Sequence, residues 1–130
     1  MAVLIDTTVL IDAERRGGTL DLAIGEEARA ISAVTVSELL HGVHRAADER
    51  MRVRREAFVE HLLASIDALP VTTPVARTHA GIWARLERKG NLIDAHDLWI
   101  AATALTHGMG VATANGKEFE RIPGLTVIPL

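Results

Sequence analysis

The residues of this sequence best able to do chemistry are acids standing at the ends of apolar segments. Asp6 directly follows Val3-Leu4-Ile5, and Glu38 lies shortly after Ala30-Ile31-Ser32. Asp94 and Asp97 bracket the run Asp94-Ala95-His96-Asp97, and Asn115 and Glu118 come after Val111-Ala112-Thr113. Carboxylates gathered in one cleft raise one another's pKa and oppose folding unless a positive charge intervenes. A hard divalent cation with oxygen ligands is the usual solution. Mg²⁺ is satisfied by one or two carboxylates together with water and substrate phosphates, and Mn²⁺ accepts the same donors. Such a site suits phosphodiester hydrolysis, where a metal ion activates water and neutralises charge on the leaving oxygen.

The elements that must position these acids alternate in type. Val3-Leu4-Ile5, Ala30-Ile31-Ser32, Ala68-Leu69-Pro70-Val71, Val111-Ala112-Thr113 and Thr126-Val127-Ile128 read as short buried strands. Between them, one helix is expected from Thr35 through Leu39, Leu40 and Val43. Another runs from about Asp48 to Ser65, with Phe58, Leu62 and Leu63 inward. Thr73-Pro74 reads as an N-cap with proline at the first helical position, and that helix carries Val75, His79, Trp83 and Leu86 on one stripe until Gly90; helical spacing makes Trp83 and Trp99 core residues rather than base-stacking platforms. The next starts near Asp94 and stops at Gly108. Strands separated by helices imply an α/β fold with a parallel sheet and helices on both faces. In such sheets the ligand site lies outside the carboxyl ends of the strands, where these acids stand.

Each acid also has a purely structural reading. Asp6 can cap a helix at Val9. Thr35 and Glu38 have the spacing of a capping box. Asp94 suits an N-cap, with Asp97 at the position the helix dipole favours for an acid. Glu118 alone suits a solvated surface charge. The functional reading rests on the joint pattern.

Composition narrows the classes. The chain has 130 residues, 48% hydrophobic and 24% charged, which fits a single domain over 1–130. With no cysteine, disulfides and thiolate zinc sites are excluded. No apolar run approaches the roughly 20 residues needed to span a bilayer, and no basic segment opens the chain as in a signal peptide, so a cytoplasmic protein is expected. Net charge is −3, from 14 basic and 17 acidic residues. That argues against a passive nucleic-acid binder, but not against an enzyme whose acids hold metal. Arg50, Arg52, Arg54 and Arg55 form the densest basic cluster, with Arg15 and Arg16 behind it. It suits phosphate contacts and a solvated helix face equally.

In order and spacing the chain resembles the PIN-domain ribonucleases and, within them, the VapC toxins of toxin–antitoxin pairs. The matching stretches are Val3-Leu4-Ile5-Asp6-Thr7-Thr8-Val9-Leu10-Ile11-Asp12, Ile31 to Leu39, Asp97-Leu98-Trp99-Ile100-Ala101-Ala102-Thr103-Ala104-Leu105, Val111 to Phe119, and Ile122 to Val127. The resemblance implies a central parallel sheet flanked by helices. It implies an endoribonuclease using Mg²⁺ or Mn²⁺, with transfer RNA or another structured RNA as substrate. Asp6 and Asp97 match the metal-binding aspartates, Glu38 matches the glutamate of the second motif, and Glu118 is taken as the fourth acid. Thr7, Thr113, Asn115 and Asp94 would support the site. Many members carry an aspartate where Asn115 or Glu118 stands here, which leaves occupancy by a second metal open. The resemblance also implies a small VapB-like antitoxin that reaches into the acidic groove, and a homodimer within a larger toxin–antitoxin assembly.

Rival folds lose on particular positions. A phosphatase of the haloacid dehalogenase type needs a second aspartate where Thr8 stands, and a receiver domain needs an acidic pair where Thr7 follows Asp6. No G-x-G-x-x-G follows the first strand, as a Rossmann site requires. A non-enzymatic binding module of similar fold would tolerate loss of the acids.

Overall fold

The protein is seen in a computed structural model that describes residues 1–17 and 28–130. Its elements, in chain order, are β1 (Val3–Ile5), α1 (Thr7–Arg15), β2 (Arg29–Ser32), α2 (Ala33–His44), α3 (Glu49–Ser65), β3 (Asp67–Leu69), α4 (Thr73–Arg88), α5 (Ala95–Thr106), β4 (Gly110–Thr113), α6 (Gly116–Phe119) and β5 (Val127–Pro129). The five strands form one parallel sheet in the order β3-β2-β1-β4-β5.

Alternation along the strands separates two cores. Leu4, Ala30 and Val111 face Leu86, Leu98, Ile100, Ala101, Ala104 and Phe119, beneath α4–α6. Ile5 and Ile31 point the other way, into Val9, Leu10, Leu39, Val43, Val59, Leu62 and Ile66, beneath α1–α3. The central strands β1 and β4 are buried throughout, which explains their uninterrupted apolar sequences. Strand order reverses between β1 and β4. The crevice outside their carboxyl ends is therefore the switch point at which open α/β sheets bind ligands.

Helix termini match the expected chemistry with local shifts. Asp48 caps α3 through the Met51 N–H, and Asp94 caps α5 through the N–H groups of His96 and Asp97. After α4 and α5 the chain turns through Gly90 and Gly108 at φ 63° and 66°, a region L side chains enter only with strain. Thr72, not Thr73, caps α4. The helix expected from Thr35 begins at Ala33 instead, because the buried Ser32 hydroxyl accepts the Val34 N–H at 3.0 Å. Thr35 therefore lies inside α2, and the capping box with Glu38 is not made. Ser32→Ala is expected to cost about 1 kcal/mol, seen in thermal unfolding as a fall of about 3–5 °C.

The α4 stripe is only partly internal. Val75 and Leu86 are buried, but Trp83 is 49% exposed, which corrects its expected core position. His79 stacks on Trp99 with ring centroids 3.6 Å apart and meets Trp83 edge-on at 5.8 Å, and burial holds its pKa below the usual histidine value. Phe58 is half-buried. No helix among the described residues is long and apolar enough to cross a membrane.

Candidate active site

The backbone of Asp6 is fixed where β1 ends, its N–H donating to Ala112 O of β4 at 2.8 Å. Its carboxylate is 1% exposed and does two jobs. Oδ1 accepts the Thr7 N–H at 2.8 Å and so caps α1, while Oδ2 accepts the hydroxyls of Thr8 at 2.7 Å and Thr113 at 2.8 Å. A carboxylate offers about four lone-pair sites. Three are occupied by neutral donors, and the one left over is on Oδ1. The structural and the functional reading of Asp6 thus coexist: the donors that cap the helix also preset the carboxylate.

Glu38 comes to the same edge from the second turn of α2. Its Oε1 accepts the Thr7 hydroxyl at 2.7 Å, and its Oε2 lies 3.4 Å from His96 Nδ1. Thr7 Oγ1 also lies 3.0 Å from the fully buried Thr35 Oγ1. Across the crevice, Glu118 Oε1 accepts the Asp94 N–H at 2.8 Å and its Oε2 accepts Asn115 Nδ2 at 2.9 Å. The Asn115 N–H donates to Thr113 Oγ1 at 2.8 Å, tying this rim to the Asp6 cradle.

Asp97, in the first turn of α5, completes the group. Burial is the main cause that pushes its pKa up to about 8, followed by its hydrogen bond to Glu118 and the nearby charge of Asp6. Glu118 shifts the opposite way: the Asp97 hydrogen bond, then the Asp94 N–H, hold it below the usual carboxylate range. The opposite shifts favour Asp97 over Glu118 as the carboxyl that holds a proton. Among the described residues no lysine or arginine forms an ion pair with Asp6, Glu38, Asp97 or Glu118.

Hard oxygen donors with a surplus of negative charge, and a carboxyl whose burial and acidic neighbours favour its protonated form, fit a hard divalent cation. No three His, Asp or Glu side chains among the described residues close into a ready-made cage. Mg²⁺ does not need one, because it retains several waters.

A family model for the PIN domain matches residues 3–125. The chain is 36% identical to Ribonuclease VapC1 of Rickettsia felis over 128 residues, covering 98% of this chain and 96% of that one. It belongs to the PIN-domain family, in its VapC group. It is also 35% identical to the tRNA(fMet)-specific endonuclease VapC of Salmonella typhimurium over 97 residues, 75% of this chain and 71% of the other. The crystal structure of DNA-bound VapBC from Salmonella typhimurium superposes with a TM-score of 0.85 at 29% identity, over 99% of this chain and 98% of that one.

In this PIN domain the acids singled out from sequence come together at one sheet edge, and so do Thr7, Thr113, Asn115 and Asp94. The spacing did not single out Thr8, His96 or Thr35. The hydroxyl run Thr7-Thr8 after Asp6 was the available signal for the first, and Thr35 was masked by its resemblance to a cap. The basic cluster is divided. Arg52 pairs with Glu49 and Glu56 on its own helix, Arg54 Nε lies 3.5 Å from Glu14, and Arg55 donates to Gly42 O at 2.8 Å. Arg50 is exposed on α3. A groove of about 760 Å³ runs from Glu38 and His96 between α1, α2 and α3, and the arginines along it are Arg15, Arg45 and Arg55.

Proposed function

We propose that this chain is a divalent-metal-dependent endoribonuclease, a single PIN domain over 1–130 acting in the cytoplasm as the toxin of a toxin–antitoxin pair. The observation that carries this reading is the convergence of Asp6, Glu38, Asp97 and Glu118 at the β1/β4 switch point, with no lysine or arginine in ion-pair contact with them among the described residues. Asp6 and Asp97 would hold Mg²⁺, or Mn²⁺ in its place. Such an ion, when bound, lowers the pKa of water and offsets charge on the phosphate. Glu38 Oε2, the oxygen that Thr7 leaves free, would accept the proton of the attacking water, and Glu118 would orient water at the opposite rim. The water oxygen bonds to phosphorus, the P–O bond to the departing ribose oxygen breaks, and that oxygen takes its proton from solvent.

The substrate class is structured RNA. Transfer RNA is favoured, because the Salmonella typhimurium relative carries that specificity in its name. RNA is expected to enter along the groove, with Arg15, Arg45 and Arg55 on phosphates. Of the four arginines first considered, Arg52 has its charge taken up locally. Arg45→Ala is expected to weaken RNA binding severalfold and reduce the salt slope by about one. Arg52→Ala should leave both unchanged in a filter-binding titration.

The partner is a small VapB-like antitoxin whose arginine would pair with the acids, as the VapBC neighbours support. A homodimer within that assembly completes the proposal. Incubation of the purified protein with a transfer-RNA pool and an unstructured RNA, with Mg²⁺ or with chelator, tests the reaction. Cleavage that needs the metal is expected. Cleavage that survives chelator, or none under any condition, would overturn it.

A further inference from the structure

We propose that Thr35 is a positioning residue: its hydroxyl donates to Thr7 Oγ1, which donates to Glu38 Oε1, and this chain of hydroxyls sets the carboxylate for phosphodiester hydrolysis. The inference rests on the ribonuclease reading above for its last step only; the chain itself follows from geometry.

The direction of the chain follows from counting hydrogens. Thr7 Oγ1 lies 2.7 Å from Glu38 Oε1 and 3.0 Å from Thr35 Oγ1. A hydroxyl has one hydrogen, and a carboxylate only accepts. The Thr7 hydrogen therefore belongs to Glu38, and the contact with Thr35 is made only if Thr35 donates. Thr7 also gives its backbone N–H to Asp6 Oδ1, so one residue ties both acids together.

Thr35 differs from Thr78, Thr103 and Thr106 in making no bond to the carbonyl one turn back, although Thr106 and Thr78 also meet sideways, Oγ1 to Oγ1, at 2.9 Å. Thr103 donates to Trp99 O at 2.8 Å, Thr106 to Ala102 O at 2.7 Å and Thr78 to Pro74 O at 3.2 Å, each to the carbonyl one turn back. That is the usual use of a threonine hydroxyl in a helix. Thr35 stands at the third position of α2, where the residue one turn back is Ile31 of β2. Its hydroxyl reaches sideways to Thr7, across elements 28 residues apart in sequence. Thr35 is fully buried, and valine would fill the same volume, so packing alone does not call for the hydroxyl.

Glu38 is the residue that needs such support. Its side chain is 28% exposed, on a flexible stem, and its other oxygen has only the longer contact to His96. Successive hydroxyl bonds polarise one another in a buried setting, so loss of the first weakens the second.

The test compares Thr35→Val, which keeps the shape, with Thr35→Ser, which keeps the hydroxyl. Under Mg²⁺ saturation, Thr35→Val is expected to lower kcat about tenfold, as loss of outer-shell support does, with KM within about twofold, the mark of a loss confined to the transition state. Thr35→Ser is expected to recover most of that loss. A second measurement does not use activity: the thermal unfolding of Thr35→Val, Glu38→Ala and the double variant, all metal-free. The chain predicts non-additive shifts, with a discrepancy of about 2–4 °C. Additive shifts, or a valine variant as active as wild type, would overturn the proposal. Equal losses in the valine and serine variants would also overturn it, because packing would then be the cause. Non-additive shifts in a protein that cleaves no RNA would keep the hydroxyl chain and overturn the ribonuclease reading instead.

Discussion

Asp97→Asn is expected to lower RNA cleavage at least about 10³-fold while leaving the protein folded. The substitution keeps the shape and the hydrogen bond toward Glu118 but removes one of the two carboxylates proposed to hold the metal. Charge stabilisation by a metal ion at a transferring phosphoryl group is worth several kcal/mol, and each 1.36 kcal/mol is tenfold in rate. Asp6→Asn should lose as much and also lose stability. Asp6 Oδ2 accepts two hydroxyls and Oδ1 caps α1 in a fully buried setting, so the variant must turn an amide among donors. Single-turnover cleavage and circular dichroism separate the two effects. An Asp97→Asn protein within tenfold of the wild-type rate would remove Asp97 from the chemistry.

The second large effect is a fall of stability with rising pH that bound metal opposes. In the metal-free fold Asp97 titrates near 8, against an ordinary value of 3.8. Between those two values the folded state holds a proton that the unfolded state has released. The difference in bound protons (unfolded minus folded) is then negative, and stability falls as pH rises. The contribution of the protonated carboxyl is complete below pH 4 and lost as pH rises through about 8. A divalent cation needs the ionised form, so its affinity climbs across the same window. Mg²⁺ at ten times its dissociation constant adds about 1.4 kcal/mol, or roughly 3–6 °C in a chain of this size. The Mg²⁺-induced rise in Tm is expected to be small at pH 6 and full at pH 8.5. In Asp97→Asn the metal-free Tm should fall less over that range, and Mg²⁺ should add little at either pH. A wild-type protein whose response to Mg²⁺ is the same at both values would refute the assignment.

Much of the frame was legible because it rests on local rules. Continuous apolar runs between helical periods have few homes other than a buried parallel sheet, and β1 and β4 occupy that place. Gly90 and Gly108 ended helices as expected because a left-handed residue is needed there. Asp94 was readable as a cap for the same local reason. The start of α2 was misread because Ser32 and Thr35 both offer a capping hydroxyl, and only tertiary packing chooses between them. Trp83 was misread because a helical stripe tells which residues share a face, not how far the neighbouring element extends to cover it.

The sequence by itself determined the acids, their order along the chain, and the sheet edge to which each segment delivers its carboxylate. Strand polarity and side-chain alternation follow from spacing alone. The tertiary structure decided how those acids are held. Thr8 and Thr113, 105 positions apart, meet on one oxygen of Asp6. Thr35 meets Thr7 across the helix pair, Asp97 comes within hydrogen-bonding reach of Glu118, and Arg45 rather than Arg52 faces the groove. These depend on which non-local side chains come within hydrogen-bonding distance. Contact distances and burial arise only when the sheet and both helical layers have closed, and the same distances set the pKa of Asp97 and the orientation of Glu38.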